Sequence, residues 1–347
     1  MSSDDPCPTL ETAFTRHSGA RVPLICGAMY PCSNPELVGA ASAAGALGVV
    51  QPISLTYVHG RELRAGLREI LRLSGGAPIG FNAIVEASSR RYLERMRRWV
   101  DVALDEGVRF FVTALGKPDT IVRAVHEAGG IVYHDVTERR WALKARDAGV
   151  DGLICVNRRA GGHAGVRTAE ELHRDLADLG LPLVCAGGIG TPAEFRAAID
   201  LGYAACQLGT RFIATRECSA HPDYKRAILA ARAEDIVLTE KISGVPVAVI
   251  KTPAIERTGT RAGFLARRLL RHPRAKHWVR AYYTLKSIVQ LKRSSLRGSS
   301  YRDVFQAGQS VEGIHEVLPV AEVVRRFAAA LDEANADRAA TSRTPKA

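Results

Sequence analysis

His163 sits in Arg158-Arg159-Ala160-Gly161-Gly162-His163-Ala164-Gly165, a stretch so rich in glycine that ordinary packing does not account for the histidine. An imidazole titrates near pH ~6.5 and can take or give a proton at working pH. Two further stretches, Gly187-Gly188-Ile189-Gly190 and Gly209-Thr210, follow apolar runs. Glycine there lets backbone N–H groups close on an anion. Thr191-Pro192 then opens a helix whose N-terminus adds a dipole favourable to negative charge. Together these loops predict a phosphate site, and the histidine a proton acceptor beside it. His134, next to Asp135, is a second candidate, for substrate contact.

Other chemistries are disfavoured. Gly-Gly-Ile-Gly lacks the GxGxxG spacing of a dinucleotide site, and no Walker lysine follows a glycine loop. HExxH does not occur, and no metal site is expected. No GxSxG marks a nucleophile elbow. The phosphate is therefore expected to be that of flavin mononucleotide (FMN) or of a small phosphorylated substrate.

Loops of this kind need a scaffold that brings their ends together. Apolar, β-branched runs at 22–26, 47–51, 79–82, 109–113, 130–134, 152–156, 183–186 and 205–208 alternate with helical patterns at 35–44, 61–73, 90–105, 119–128, 137–148, 169–179 and 192–201. The strands read as continuous apolar runs, the pattern of a parallel sheet covered on both faces. Eight strands within about 190 residues predict an α/β fold, a (β/α)₈ TIM barrel. In such a barrel the active site lies at the C-terminal strand ends. That rule selects Gly27, Ala28 and Met29 after the first strand, Asn82 after the third, Thr113 and Ala114 after the fourth, and the loops above.

The expected organisation is an N-terminal extension (1–20), a barrel (21–220), a lid and basic helical C-terminal subdomain (221–334), and a disordered polar tail (335–347). Within the subdomain, 221–233 reads as a helix, 235–252 as a hairpin around Ser243-Gly244, and 320–331 as a last helix.

The chain has 347 residues and a formal net charge of +12. Residues 261–297 hold eleven Lys and Arg and no acidic residue. That excess suits an anionic partner or substrate, and without a recognised motif it does not argue for nucleic acid. Seven cysteines with no CxxC pair indicate a reduced, cytoplasmic protein. No apolar run is long enough for a membrane span, and the acidic N-terminus is not a signal peptide.

Pro23-Leu24-Ile25-Cys26-Gly27-Ala28-Met29, Asn34-Pro35-Glu36-Leu37 and Ala44-Gly45-Ala46-Leu47-Gly48 resemble the opening of the nitronate monooxygenases. Gly80-Phe81-Asn82, Ala160-Gly161-Gly162-His163-Ala164-Gly165, Ala186-Gly187-Gly188-Ile189 and Leu208-Gly209-Thr210-Arg211-Phe212 match later motifs of that family in order, and Gln306-Ala307-Gly308-Gln309 resembles a C-terminal family turn. The resemblance implies an FMN barrel that oxidises nitronates or nitroalkanes with dioxygen to a carbonyl compound and nitrite. It implies that Gly27, Ala28, Met29 and Asn82 line the flavin, that Gly187, Gly188, Ile189, Gly209 and Thr210 hold its phosphate, and that His163 is the base. The same motifs occur in NAD(P)H-dependent reductases of enoyl thioesters (on acyl carrier protein or CoA) and of quinones, which is the alternative activity. The family's Gln-Gly-x-Glu is replaced here by Val156-Asn157-Arg158-Arg159. Asn157 is therefore a candidate for the missing amide, and Arg159 for contact with an anionic substrate. The expected assembly is a homodimer.

Overall fold

The computed structural model describes residues 10–86, 90–240, 246–260 and 304–341. Eight parallel strands close into a barrel in chain order: β1 (Leu24–Cys26), β2 (Leu47–Val50), β3 (Ile79–Val85), β4 (Phe110–Leu115), β5 (Ile131–Val136), β6 (Gly152–Val156), β7 (Leu183–Ala186) and β8 (Ala205–Leu208), with β8 pairing back to β1. The expected TIM barrel is therefore present. Three strands, β6, β7 and β8, match the expected bounds to the residue.

Alternation along each strand divides the core in two. One side chain series points into the lumen, where Ile25, Val49, Val112, Tyr133, Ile154 and Val184 fill the barrel. The other points outward, where Phe81, Phe111, Val132 and Cys155 pack under the helices. The covering helices are α2 (Pro35–Ala43), α3 (Leu63–Leu73), α4 (Arg90–Asp105), α5 (Asp119–Glu127), α6 (Arg139–Asp147), α7 (Ala169–Leu176) and α8 (Pro192–Asp200), with the short α9 (Thr210–Ile213) after β8. α8 begins as its sequence predicts: Thr191 caps Glu194 N–H, and proline occupies the first turn.

The N-terminal extension is part of the barrel. Helix α1 (Ala13–Ser18) closes its lower end, with Phe14 fully buried edge-on to Phe110 at 5.7 Å and to Tyr133 at 6.2 Å.

After β8, α10 (Pro222–Ala230) leads to an antiparallel pair, β9 (Ile236–Thr239) and β10 (Val247–Ile250), the expected hairpin, followed by α11 (Pro253–Thr258). Ser243-Gly244 and the basic segment 261–297, with Phe264, Trp278, Tyr282 and Tyr283, lie outside the described residues. The chain returns at residue 304, and the last helix, α12 (Val320–Thr341), packs on α8 and α2, with Phe327 set 5.6 Å from Phe195. α12 runs past the expected end at 331 and, as far as Thr341, into the stretch expected to be disordered. Its alanine-rich continuation has high helix propensity, which outweighs its polarity.

Six cysteines among the described residues are free and buried. Among those residues no helix is long and apolar enough to cross a membrane, and no cluster of potential metal ligands occurs.

Candidate active site

The loops after β1, β3, β6, β7 and β8 meet at the C-terminal mouth of the barrel. Gly187 and Gly188 take left-handed backbone angles, φ +115° and +79°. A side chain there is strained, and it is also crowded. A Cβ on Gly187 would lie 2.6 Å from Ala160 N and from Asn157 Oδ1, and one on Gly188 2.8 Å from the Arg159 side chain. Only glycine fits this turn. Among the described residues, nothing accepts from the N–H groups of Gly188, Gly209 and Thr210. Thr210 Oγ1 accepts from Gly308 N–H at 3.0 Å, which leaves its own O–H to donate. Orphaned donors on two adjacent loops are the chemistry of a phosphate cradle, so the residues present fit the phosphate of a mononucleotide cofactor.

The α8 N-terminus does not join that cradle. Glu194 Oε2 already accepts from Gly190 N–H at 2.8 Å and Thr191 N–H at 3.1 Å. The helix end is capped by its own carboxylate, and the expected dipole contribution to anion binding is spent there.

Arg159 is also drawn to this corner. Its guanidinium donates to Glu194 Oε1 at 2.9 Å and its stem lies against Gly188. It borders the phosphate loop and is ion-paired, so the structure does not place it as a free cation for substrate. Asn157 is a staple. It is 1% exposed, its Nδ2 donates to Gly187 O at 2.8 Å, and its Oδ1 accepts from Arg159 N–H at 2.8 Å. The amide that was to replace the family's glutamine is consumed in fixing the β6 loop to the β7 loop.

His163 lies in the β6 loop and is exposed at the mouth. The surrounding protein withdraws enough solvent to hold its imidazole below the ordinary value, so the ring is neutral at pH 7. Its loop is held from both sides: Ala248 of β10 donates its N–H to Gly162 O at 2.8 Å, and Gln309 N–H donates to Arg159 O at 2.9 Å. The β9–β10 hairpin and the turn at 306–309 therefore fix the segment that carries the histidine.

His134 points away from the mouth. It shares the outward series of β5 with Val132 and Val136, is buried, and hydrogen-bonds Thr113 Oγ1 through Nδ1 at 2.8 Å. Burial pushes its imidazole down to about 4. Alternation along β5 is the reason: the residue facing the lumen is its neighbour, Asp135.

Asn82, on the inward series of β3, has a side-chain amide with no hydrogen bond among the described residues. Gly27 is pressed by Gln207, whose Cγ lies 3.0 Å from the position a Cβ would take. Met29 Sδ lies 3.5 Å from the equivalent position on Gly209, so the first and last loops touch. Ala28 and Ile189 complete these loops, Ala28 packed on the lumen cluster and Ile189 buried in the outer core. Asp135 and Gln207 were missed from sequence. Strand parity counted from the buried Tyr133 and Ala205 would have found both.

The family model for nitronate monooxygenase matches residues 11–329. A (3aS,4S,5R,7aS)-5-hydroxy-7a-methyl-1-oxo-octahydro-1H-indene-4-carboxyl-CoA dehydrogenase of Rhodococcus jostii (strain RHA1) is 29% identical over 262 residues, 74% of this chain and 71% of that one. A nitronate monooxygenase of Pseudomonas aeruginosa is 30% identical over 274 residues, 67% of this chain and 77% of its own. Among solved structures, FabK from Thermotoga maritima has a TM-score of 0.75 at 26% identity, covering 96% of this chain and all of that one.

Proposed function

The chain belongs to the nitronate monooxygenase family of oxidoreductases, and from that premise we propose that it binds FMN and oxidises nitronates, and nitroalkanes through them, with dioxygen to a carbonyl compound and nitrite. The observation that carries this reading is a neutral histidine exposed at the same barrel mouth as the orphaned donors of Gly188, Gly209 and Thr210. Bound there, the flavin would supply the redox chemistry that protein side chains do not.

The chain's own residues do the rest. Gly188, Gly209 and Thr210 hold the phosphate through N–H and O–H donors. Asn82 offers its unbonded amide to the ring or substrate. His163 takes the α-proton of a nitroalkane on an imidazole nitrogen, which requires the neutral ring that its surroundings favour. A nitronate arrives already deprotonated and does not need that step. The hairpin strand β10 and the turn at 306–309 hold the His163 loop.

These roles separate experimentally. His163→Ala is expected to keep flavin and pre-formed nitronate turnover while losing most turnover of the neutral nitroalkane. Full activity of that variant on the nitroalkane would remove the base role.

One observation favours a second reading. The Rhodococcus relative is named for a carboxyl-CoA substrate. A thioester substrate, with NADH or NADPH as co-substrate, would use the same phosphate cradle and the same histidine. Anaerobic bleaching of the flavin by NAD(P)H, with reoxidation by an enoyl thioester or quinone and none by a nitronate route, would establish that reading instead.

A further inference from the structure

Parity on β5 puts Ile131, Tyr133 and Asp135 in the lumen. The first two belong to its apolar filling. Asp135 stands one step nearer the mouth, in register with Ile154 of β6. The fold does not use this carboxyl. Its Oδ1 is sealed from solvent with no hydrogen-bond partner among the described residues, while the residue as a whole keeps partial exposure. Its titratable surroundings among the described residues are Tyr133 below it in the lumen and the Cys155 thiol on the neighbouring strand. Neither is a cation at neutral pH, and no charged side chain shifts Asp135; burial alone pushes its carboxyl up to about 7.

A carboxylate with one oxygen sealed and no counter-ion is poorly solvated, whereas a carboxylic acid there has an O–H to give. Asn82 and Gln207, the polar residues on the inward series of β3 and β8, are amides that carry no charge. Among the described residues the upper lumen is thus a polar but uncharged floor, and the Oδ1 of its ionisable member Asp135 has no hydrogen-bond partner.

We infer that Asp135 is a proton-carrying contact for the flavin: its neutral carboxyl donates a hydrogen bond to an acceptor on the part of the cofactor that enters the mouth, and loss of the proton breaks that bond. This rests on the FMN reading above and adds to it a pH-dependent affinity set by one residue of this chain. The acceptors of a flavin ring, its two carbonyl oxygens, N1 and N5, match a donor and oppose a carboxylate; only its N3–H would suit the ionised form.

The test is FMN binding to flavin-stripped protein, followed by quenching of flavin fluorescence from pH 6 to 8.5. Wild type is expected to lose about tenfold in affinity across that range, as the contact-competent fraction falls. Asp135→Asn keeps a donor that cannot ionise. It should bind at pH 8.5 about as tightly as wild type at pH 6, retaining only the small trend from the FMN phosphate, which titrates near ~6 in both proteins. Asp135→Leu, which has no donor, should bind weakly at every pH, with unchanged far-ultraviolet circular dichroism showing an intact barrel. Parallel pH curves for wild type and Asp135→Asn would overturn the inference alone. Failure of wild type to bind FMN at any pH would overturn the FMN reading along with it.

Discussion

Two residues of the mouth do opposite things with a proton. His163 is held neutral by withdrawn solvent, so its proton-accepting form persists through pH 7. Turnover of a neutral nitroalkane should therefore be flat down to the ordinary imidazole value of ~6.5 and fall only below it, a profile read directly from kcat/KM against pH. Asp135 is shifted the other way, from an ordinary value of 3.8 to about 7. A carboxyl whose folded value is raised stabilises the fold fully below its unfolded value, and that contribution is lost as pH rises through about 7. Asp135→Asn should therefore unfold at a higher temperature than wild type at pH 8, by ~2 kcal/mol after allowance for its partial exposure, with the gain vanishing at pH 4. Equal melting temperatures at pH 8 would show that the carboxyl is better solvated than its sealed Oδ1 implies.

The loops show how far sequence goes in specifying a site. Apolar runs and glycine punctuation were enough to place all eight strands, because a parallel strand buried on both faces is largely apolar. The glycine turn after β7 was legible for a similar reason: Gly187 and Gly188 are fixed by backbone angle and by crowding from Asn157 and Arg159. What could not be read was side-chain direction. His134 and Asp135 are adjacent, and which of them faces the lumen depends on a one-residue parity that their identities do not reveal. Asn157, Arg159 and the α8 N-terminus were misread for one shared reason: each looked available, and each is already satisfied, Asn157 by Gly187 of the next loop, Arg159 by Glu194 in the first turn of α8, and the α8 N-terminus by that same Glu194. Gly188→Ala forces a left-handed alanine, costing roughly 1–2 kcal/mol, and drives its methyl into Arg159. FMN affinity should fall at least tenfold while the circular dichroism spectrum is preserved. Unchanged affinity would mean that the phosphate does not sit on this turn.

At the scale of the molecule, the barrel is closed below by α1 and held above by the returning C-terminal chain. Phe14 supplies the lower closure, fully buried among Phe110 and Tyr133. Phe14→Ala should destabilise the protein by ~3–5 kcal/mol, seen as a lower denaturant midpoint, without abolishing flavin binding at the far end of the lumen. The +12 net charge draws anions towards the molecule. The central claim is that electrons from a nitronate enter a flavin held at the barrel mouth. It is tested most directly by the visible spectrum of the FMN-loaded protein under anaerobic conditions, on addition first of NADH or NADPH and then of a nitronate. The expected result is a flavin band unmoved by either nucleotide and bleached by the nitronate. A band bleached rapidly by a nucleotide and untouched by the nitronate would contradict it and make the protein a reductase.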